Sequence, residues 1–274
     1  NINTKEWDQE LLDLFNIPMQ ILPEVLPSAG KFGQTNKSLF NHSIDISAII
    51  GDQQAALYGQ NCFNMGQTKC TYGTGCFLLT NTGKNRIDSK AGLLTTIACD
   101  SIGNPTYAIE GSIFMGGAII QWLRDELQII SNAEETDKIA QEIKNTNDVF
   151  IVPAFTGLGA PYWNMNARGI ITGLTRGSNR SHIIRAALES IGFQVHALIK
   201  SILIDLNFNL KTIKVDGGAT ANNFLMQFQA DLLQMNLVRP VSLESTALGA
   251  GILAGISKGI WNNTNELKDF NKVN

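Results

Sequence analysis

The chain has 274 residues, of which 44% are hydrophobic and 16% charged, and its formal net charge is −3. This length and composition are ordinary for a globular protein with a substantial buried core. The small negative charge provides no basic field, so we expect no nucleic-acid partner. No apolar run approaches the roughly 18 residues of a membrane span, and no signal-peptide pattern opens the chain, so we expect no membrane span.

The cysteines and histidines show no metal-ligand pattern. Cys62, Cys70, Cys76 and Cys99 form no CxxC pair, and the three histidines are scattered. We therefore expect reduced, mostly buried thiols, a cytoplasmic location and no metal-ligating residues.

The hydrophobic pattern predicts a mixture of helices and strands along the chain. A short amphipathic helix over 7–15 is followed by a connection broken by Pro and Gly over 22–33 and by a strand over 44–50. Strands are then predicted over 68–72, 76–80, 93–98, 107–110, 149–152, 170–174 and 213–215 and at 238, and helices over 113–127, 134–145, 181–206, 222–233 and 246–258. Strands first and alternating strands and helices later indicate an α/β sheet layered by helices.

Two segments carry residues suited to phosphoryl transfer to an alcohol. An apolar run over 46–50 ends at Gly51 and Asp52, and a strand-end carboxylate can accept the proton of an attacking hydroxyl. About twenty residues later, Tyr-Gly-Thr-Gly-Cys over 72–76 predicts a hairpin whose backbone N–H groups suit a phosphate. Taken singly, these segments are more simply explained as an Asp that caps a turn and an ordinary Gly hairpin.

A third segment, Asp216-Gly217-Gly218, ends a predicted strand before a helix opened by Asn222. Paired glycines at a helix N-terminus let a flat adenine and its ribose lie against the backbone. A Gly turn before an Asn-capped helix is also a common structural device. The segment has neither the GxGxxG nor the GxxxxGK[ST] order.

Six segments together resemble the C-terminal half of the glycerol kinases, which are FGGY carbohydrate kinases. They are GDQQAALYGQ (51–60), TYGTGCFLLTNTG (71–83), LLTTIAC (93–99), FTGLGAPYW (155–163), RGIITGLTRGSNRSHIIRAALES (168–190) and VDGGATANNFLMQFQAD (215–231). The resemblance covers nearly the whole chain, from Trp7 to about Leu267, and the two Gln residues after Asp52 favour the glycerol kinases over related sugar kinases.

The resemblance implies the actin/hexokinase-like (ribonuclease H-like) ATPase fold, an α/β fold with a mixed sheet layered by helices and nucleotide in the cleft between two domains. It assigns residues 1–61 to the tail of the first domain and 62–274 to the second, nucleotide-binding domain, truncated at its end. Because the chain opens with Asn1 in mid-pattern, we expect a fragment. We expect this fragment to be inactive alone, because the cleft needs both domains, and the full-length protein to be a homo-oligomer.

The resemblance also implies transfer of a phosphoryl group from ATP to glycerol, giving glycerol 3-phosphate and ADP, with Mg²⁺ bridging the phosphates. Asp52 is then the catalytic base, and Asp52, Gln53 and Phe77 contact glycerol. The residues implied for nucleotide binding are Thr74, Gly117, Gln121, Gly218 and Asn222.

Two of these residues, and the function as a whole, also have simpler or different interpretations. Phe77 fits plain hairpin packing, and Gly117 fits close helix–sheet packing. The alternative functions are a kinase for another polyol or ketose of the same family, and a catalytically dead nucleotide-binding fragment.

Overall fold

The computed structural model describes residues 1–206, 209–241 and 244–267. Its helices are α1 (Gln9–Phe15), α2 (Lys37–Phe40), α3 (Asp52–Gly59), α4 (Ala118–Asp125), α5 (Glu135–Glu142), α6 (Arg180–Asp205), α7 (Asn223–Leu233) and α8 (Ser245–Ser257). Its strands are β1 (Ala29–Gln34), β2 (Asp45–Ala48), β3 (Thr68–Tyr72), β4 (Cys76–Gly83), β5 (Leu94–Cys99), β6 (Pro105–Ile113), β7 (Phe150–Val152), β8 (Ile170–Thr172), β9 (Thr212–Asp216) and β10 (Asn236–Val238).

A six-stranded mixed sheet in the order β10-β9-β3-β4-β6-β5 organises the fold. Strands β10, β9 and β3 run parallel, and β4, β6 and β5 add antiparallel partners. The parallel strands β9 and β10 are joined through α7, as a parallel pair requires, whereas β3 and β4 form a direct hairpin. The predicted α/β class with a mixed sheet is confirmed.

Helix α6 covers one face of this sheet. It is 26 residues long and packs so closely that a Cβ at Gly111 of β6 would lie 2.9 Å from Cγ of Leu198. Among the described residues, α6 is the one helix long and apolar enough to cross a membrane, and 61% of its most apolar window is buried inside the protein. Such burial is typical of the core helix of a folded domain.

Helix α3 covers the opposite face and packs against α8. The two helices approach through glycines: a Cβ at Gly249 would lie 2.8 Å from the Gly59 nitrogen and would collide with the Ala55 carbonyl oxygen. A Cβ at Gly59 would lie 3.0 Å from the Gly249 nitrogen and would collide with the Ser245 carbonyl oxygen. Because both residues are glycines, the two helix backbones can touch, and this contact fixes α3 on the sheet.

Three local expectations from the sequence were wrong. The connection over 22–33 contains part of β1, which pairs with β2, the strand predicted over 44–50, in a separate two-stranded sheet. Helix α4 begins at Ala118 because residues up to Ile113 extend β6. Helix α6 begins at Arg180, one residue before its predicted start, because the Asn179 side chain caps it by accepting from two backbone N–H groups of the first turn.

The four cysteines are free and buried, and the pKa values of their thiols are raised by burial, to about 12 for Cys62, Cys70 and Cys99. A raised pKa lowers the thiolate fraction at neutral pH, and the thiolate is the reactive form. We therefore predict that the native chain reacts slowly with a thiol reagent at pH 8 and that all four cysteines react after unfolding. Rapid labelling of any of them in the native state would contradict their placement.

Candidate active site

A cavity of about 520 Å³ opens at the end of the sheet where β3 and β9 finish. Its walls are the β3–β4 turn, the start of α4, the loop before α7 and parts of α5 and α6. The five residues that the resemblance implies for nucleotide binding all line it: Thr74, Gly117, Gln121, Gly218 and Asn222. The structure thus brings together residues from three distant parts of the sequence.

The β3–β4 turn forms one wall and is held by the first turn of α4. The Gly73 carbonyl accepts from the Gly117 N–H at 2.7 Å, and the Thr74 carbonyl accepts from the Gly116 N–H at 2.8 Å. A Cβ at Gly117 would lie 2.9 Å from the Gly73 oxygen, so close packing accounts for this glycine as well as a ligand would. The Thr74 hydroxyl is exposed and has no partner among the described residues, which leaves it free to bind a ligand.

The Asp216-Gly217-Gly218 turn forms the facing wall. Gly217 has a φ of 89°, which favours glycine, and a Cβ there would lie 2.6 Å from the Tyr72 oxygen. A Cβ at Gly218 would meet no described atom within 4 Å, although this residue lines the cavity. Gly218 therefore keeps the cavity open, whereas Gly217 is required by the fold.

Asn222 already has protein partners for both polar ends of its side chain. Its Oδ1 accepts from the Leu225 N–H at 2.8 Å as the N-cap of α7, and its Nδ2 donates to Thr136 Oγ1 at 3.0 Å. A ligand contact through this amide would have to share those hydrogen bonds.

Arg124 lines the same cavity and was not predicted from the sequence. It lies three residues after Gln121 on α4, so the two side chains share one helix face. Its guanidinium is exposed and pairs with Asp125 at 2.6 Å. A helical-face analysis of α4 would have identified it once Gln121 was proposed.

Asp52, Gln53 and Phe77 do not line the cavity: Asp52 and Gln53 begin α3, and Phe77 lies in β4. Asp52 is exposed and is the first residue of α3, where the partial positive charge of a helix N-terminus favours a carboxylate. Its Oδ1 accepts from the Gln53 N–H at 2.8 Å. Gln53 and Phe77 share one hydrogen-bond donor: Lys69 Nζ of β3 donates to Gln53 Oε1 and, at 3.3 Å, to the Phe77 carbonyl.

Two buried charged residues lie on the neighbouring strands β3 and β9. Lys69 is 0% exposed and Asp216 is 2% exposed, and the strands β3 and β9 that carry them pair in parallel. Burial lowers the pKa of Lys69, an effect opposed by the negative charges of Asp216 and Glu110. Burial raises the pKa of Glu110, and the charge of Asp52 adds to this while Lys69 opposes it.

The described residues form no all-protein cage for the Mg²⁺ that the resemblance implies. No group of three or more His, Cys, Asp or Glu side chains within residues 1–206, 209–241 and 244–267 is placed to hold a metal ion. Asp216 Oδ1 lacks a hydrogen-bond partner, but it is enclosed by protein, and Asp216 Oδ2 accepts from Gln60 Nε2 at 3.1 Å. Mg²⁺ usually keeps several waters and is held by one or two carboxylates together with substrate phosphates, so no reaction step is assigned to it from the protein alone.

Comparison with known proteins identifies the family. Residues 68–257 match the C-terminal domain of the FGGY family of carbohydrate kinases, and residues 1–59 match the N-terminal domain of that family. The chain is 57% identical over 267 residues to a glycerol kinase of Clostridium botulinum (strain Langeland) and 55% identical over 268 residues to one of Caldanaerobacter subterraneus. These matches cover 97% and 98% of this chain, but the chain spans about half the length of the curated relatives, 54% in both cases.

Solved structures agree with the sequence matches. The crystal structure of Plasmodium falciparum glycerol kinase with ADP superposes with a TM-score of 0.89 at 39% identity, covering 98% of this chain and 54% of that one. A ligand-bound xylulose kinase from Lactobacillus acidophilus gives a TM-score of 0.85 at 23% identity, over 100% of this chain and 56% of that one, which shows a shared fold. The predicted actin/hexokinase-like fold is confirmed, and the chain belongs to the FGGY family of carbohydrate kinases.

Proposed function

We propose that this chain carries the nucleotide-binding part and the catalytic base of an ATP-dependent glycerol kinase, which forms glycerol 3-phosphate and ADP. The observation that carries the proposal is the cavity at the end of β3, lined by Thr74, Gly117, Gln121, Gly218 and Asn222, together with the exposed Asp52 at the start of α3. The similarity to glycerol kinases, one of them solved with ADP, supports this choice of substrates.

In the proposed reaction the protein contributes positions and a base. Phosphoryl transfer requires little covalent chemistry from an enzyme and depends on holding both reactants and stabilising charge. Asp52 accepts the proton of a glycerol hydroxyl as its oxygen attacks the γ-phosphorus of ATP, and ADP leaves. Thr74 and the backbone around Gly73 hold phosphate, while the open surface at Gly218 accommodates the nucleoside.

We further propose a domain division near the end of α3, with residues 1–61 in the tail of a first domain and residues 62–274 in the second. The end of the second segment, after residue 267, lies outside the described residues. A cytoplasmic location, a homo-oligomeric full-length protein and the use of Mg²⁺ with ATP are proposed on the family resemblance alone.

The proposed activity can be tested in a fusion protein, which we call the completed protein. In it, the N-terminal part of the 57% identical Clostridium botulinum glycerol kinase precedes this chain, so that the fusion has the length of that relative. We expect ADP release with glycerol at a higher kcat/KM than with xylitol, xylulose or gluconate. A higher kcat/KM for another alcohol would identify that alcohol, rather than glycerol, as the substrate. No ADP release with any alcohol would overturn the proposal.

Gly218→Val tests the nucleotide cavity in the chain itself. The added side chain projects into open space, so we expect the affinity for ADP to fall at least about 10-fold, since about 1.4 kcal/mol of lost contact or steric conflict is enough. Calorimetry measures the affinity and thermal unfolding checks the fold, which we expect to be intact. An unchanged ADP affinity would show that the nucleotide binds elsewhere. The control variant is Gly251→Ala, on the exposed side of α8.

A further inference from the structure

Lys69 is a fully buried cation that neither the predicted catalytic step nor the nucleotide cavity uses. Its ammonium donates to Gln53 Oε1 of α3, to Thr71 Oγ1 at 3.0 Å and to the Phe77 carbonyl of β4 at 3.3 Å. The negative charges that act on it are Asp216 of β9 and Glu110 of β6. A lysine with 0% exposure is costly to bury, so its three acceptors must hold it in one geometry.

This arrangement fixes which end of the Gln53 amide faces the protein. A lysine ammonium has only donors, so Gln53 must present its oxygen to Lys69. Its Nε2 then donates to no acceptor among the described residues, and the Gln53 side chain is only partly buried. Lys69 thus occupies the Gln53 oxygen on the protein side, and Gln53 offers a ligand its two N–H donors.

We propose that Lys69 is a positioning residue that orients the Gln53 amide and the Phe77 backbone, so that Gln53 recognises the substrate alcohol through an oxygen that accepts a hydrogen bond. The inference rests on the proposed function, because it concerns the alcohol subsite of that reaction. It adds a specificity rule: a hydroxyl oxygen is accepted at this point, and a cationic amine that can only donate is rejected.

A second lysine separates this role from a merely structural one. Lys214 lies directly beside Lys69 on the neighbouring strand β9, and its Nζ donates to the Gln60 and Asn61 carbonyls at the far end of α3. Both lysines fix α3 to the sheet, but Lys69 alone of this pair contacts Gln53. Lys214→Met is therefore a matched control that perturbs the same helix and sheet face without touching the Gln53 amide.

The first experiment measures kinetics in the completed protein. We expect Lys69→Met to raise KM for glycerol about 10-fold, the size of one lost hydrogen bond, and to leave KM for ATP within about twofold. Lys214→Met should leave KM for glycerol within about twofold even if it lowers the melting temperature. In a Gln53→Ala background, Lys69→Met should add little further to KM, because the two residues act as one unit.

A second variant leaves Lys69 in place and covers the case in which Lys69→Met does not fold. Gln53→Glu keeps an oxygen for Lys69 but replaces the outward N–H donors with a carboxylate oxygen. We expect the kcat/KM for glycerol to fall at least about 10-fold in this variant. The kcat/KM for 2-amino-1,3-propanediol or 3-amino-1,2-propanediol, whose ammonium donates to the carboxylate, should rise relative to that for glycerol.

The outcomes distinguish the two proposals. A parent protein that phosphorylates no glycerol overturns the proposed function, and with it this inference. A parent that is active, combined with an unchanged glycerol KM in Lys69→Met or no shift towards the amino alcohols in Gln53→Glu, overturns the role of Lys69 alone. Equal effects of Lys69→Met and Lys214→Met on KM would show that both lysines act only through stability.

Discussion

Asp52→Asn is expected to lower the turnover of the completed protein by ~10²–10⁴-fold, the usual contribution of a general base. The amide has nearly the shape of the carboxylate, but it cannot accept the proton of the attacking hydroxyl. Its oxygen can still accept from the Gln53 N–H, so the start of α3 should be preserved. Because Asp52 lies outside the cavity lining, we expect the affinity for ADP to change by less than about twofold.

Steady-state kinetics with glycerol and ATP, together with calorimetry for ADP, check this prediction. Asp88→Asn serves as the control, because Asp88 is an exposed carboxylate that pairs with Arg86 away from both the cavity and α3. Turnover of Asp52→Asn within a few-fold of the parent would remove Asp52 from its role as the base. Equal losses in the two variants would indicate an unspecific charge effect.

The elements that local sequence signals specify were predicted well. The Tyr-Gly-Thr-Gly-Cys pattern of 72–76 gives the β3–β4 hairpin, because glycines permit the tight turn and apolar residues flank it. Asn222 at the start of α7 is a cap that its residue type already indicates. The resemblance supplied five residues that the structure gathers around one cavity.

The contacts that depend on strand register could not be read from the sequence. Lys69 looks like an ordinary charged residue in a strand, and only its placement beneath α3 reveals three acceptors around it. The contact of Gly59 with Gly249 joins segments that lie far apart in the sequence, and the pairing of β1 with β2 places both strands outside the main sheet. Such pairings are decided by the packing of whole layers rather than by local propensity.

The glycine contact between α3 and α8 leads to the second large prediction. Gly249→Ala places a methyl group 2.8 Å from the Gly59 nitrogen and in collision with the Ala55 carbonyl, and all of these atoms belong to backbone that cannot rotate away. We expect the free energy of unfolding of the chain to fall by about 1–3 kcal/mol, the usual cost of overpacking a close contact. Urea unfolding measures this change from the midpoint at constant slope.

Gly251→Ala, two residues along the same helix, should have the opposite sign. A Cβ at Gly251 would meet no described atom within 4 Å, and the residue is exposed. Replacing an exposed helix glycine with alanine restricts the unfolded chain, so we expect a gain of about 0.5–1 kcal/mol. The pair of variants therefore separates helix propensity from the contact between the two helices.

The same contact links stability to catalysis, because α3 carries Asp52 at its first residue and Gln53 at its second. Separating α3 from α8 to admit a methyl group must shift or tilt α3 on the sheet. A displacement of about 1 Å at a reacting group costs ~10²-fold in rate, so Gly249→Ala should lower turnover of the completed protein by about that factor even where it remains folded. Nucleotide affinity should change less, since α3 contributes no residue to the cavity lining. If Gly249→Ala matched Gly251→Ala in both stability and turnover, α3 would not be positioned by α8, and the location of the proposed base would need another support.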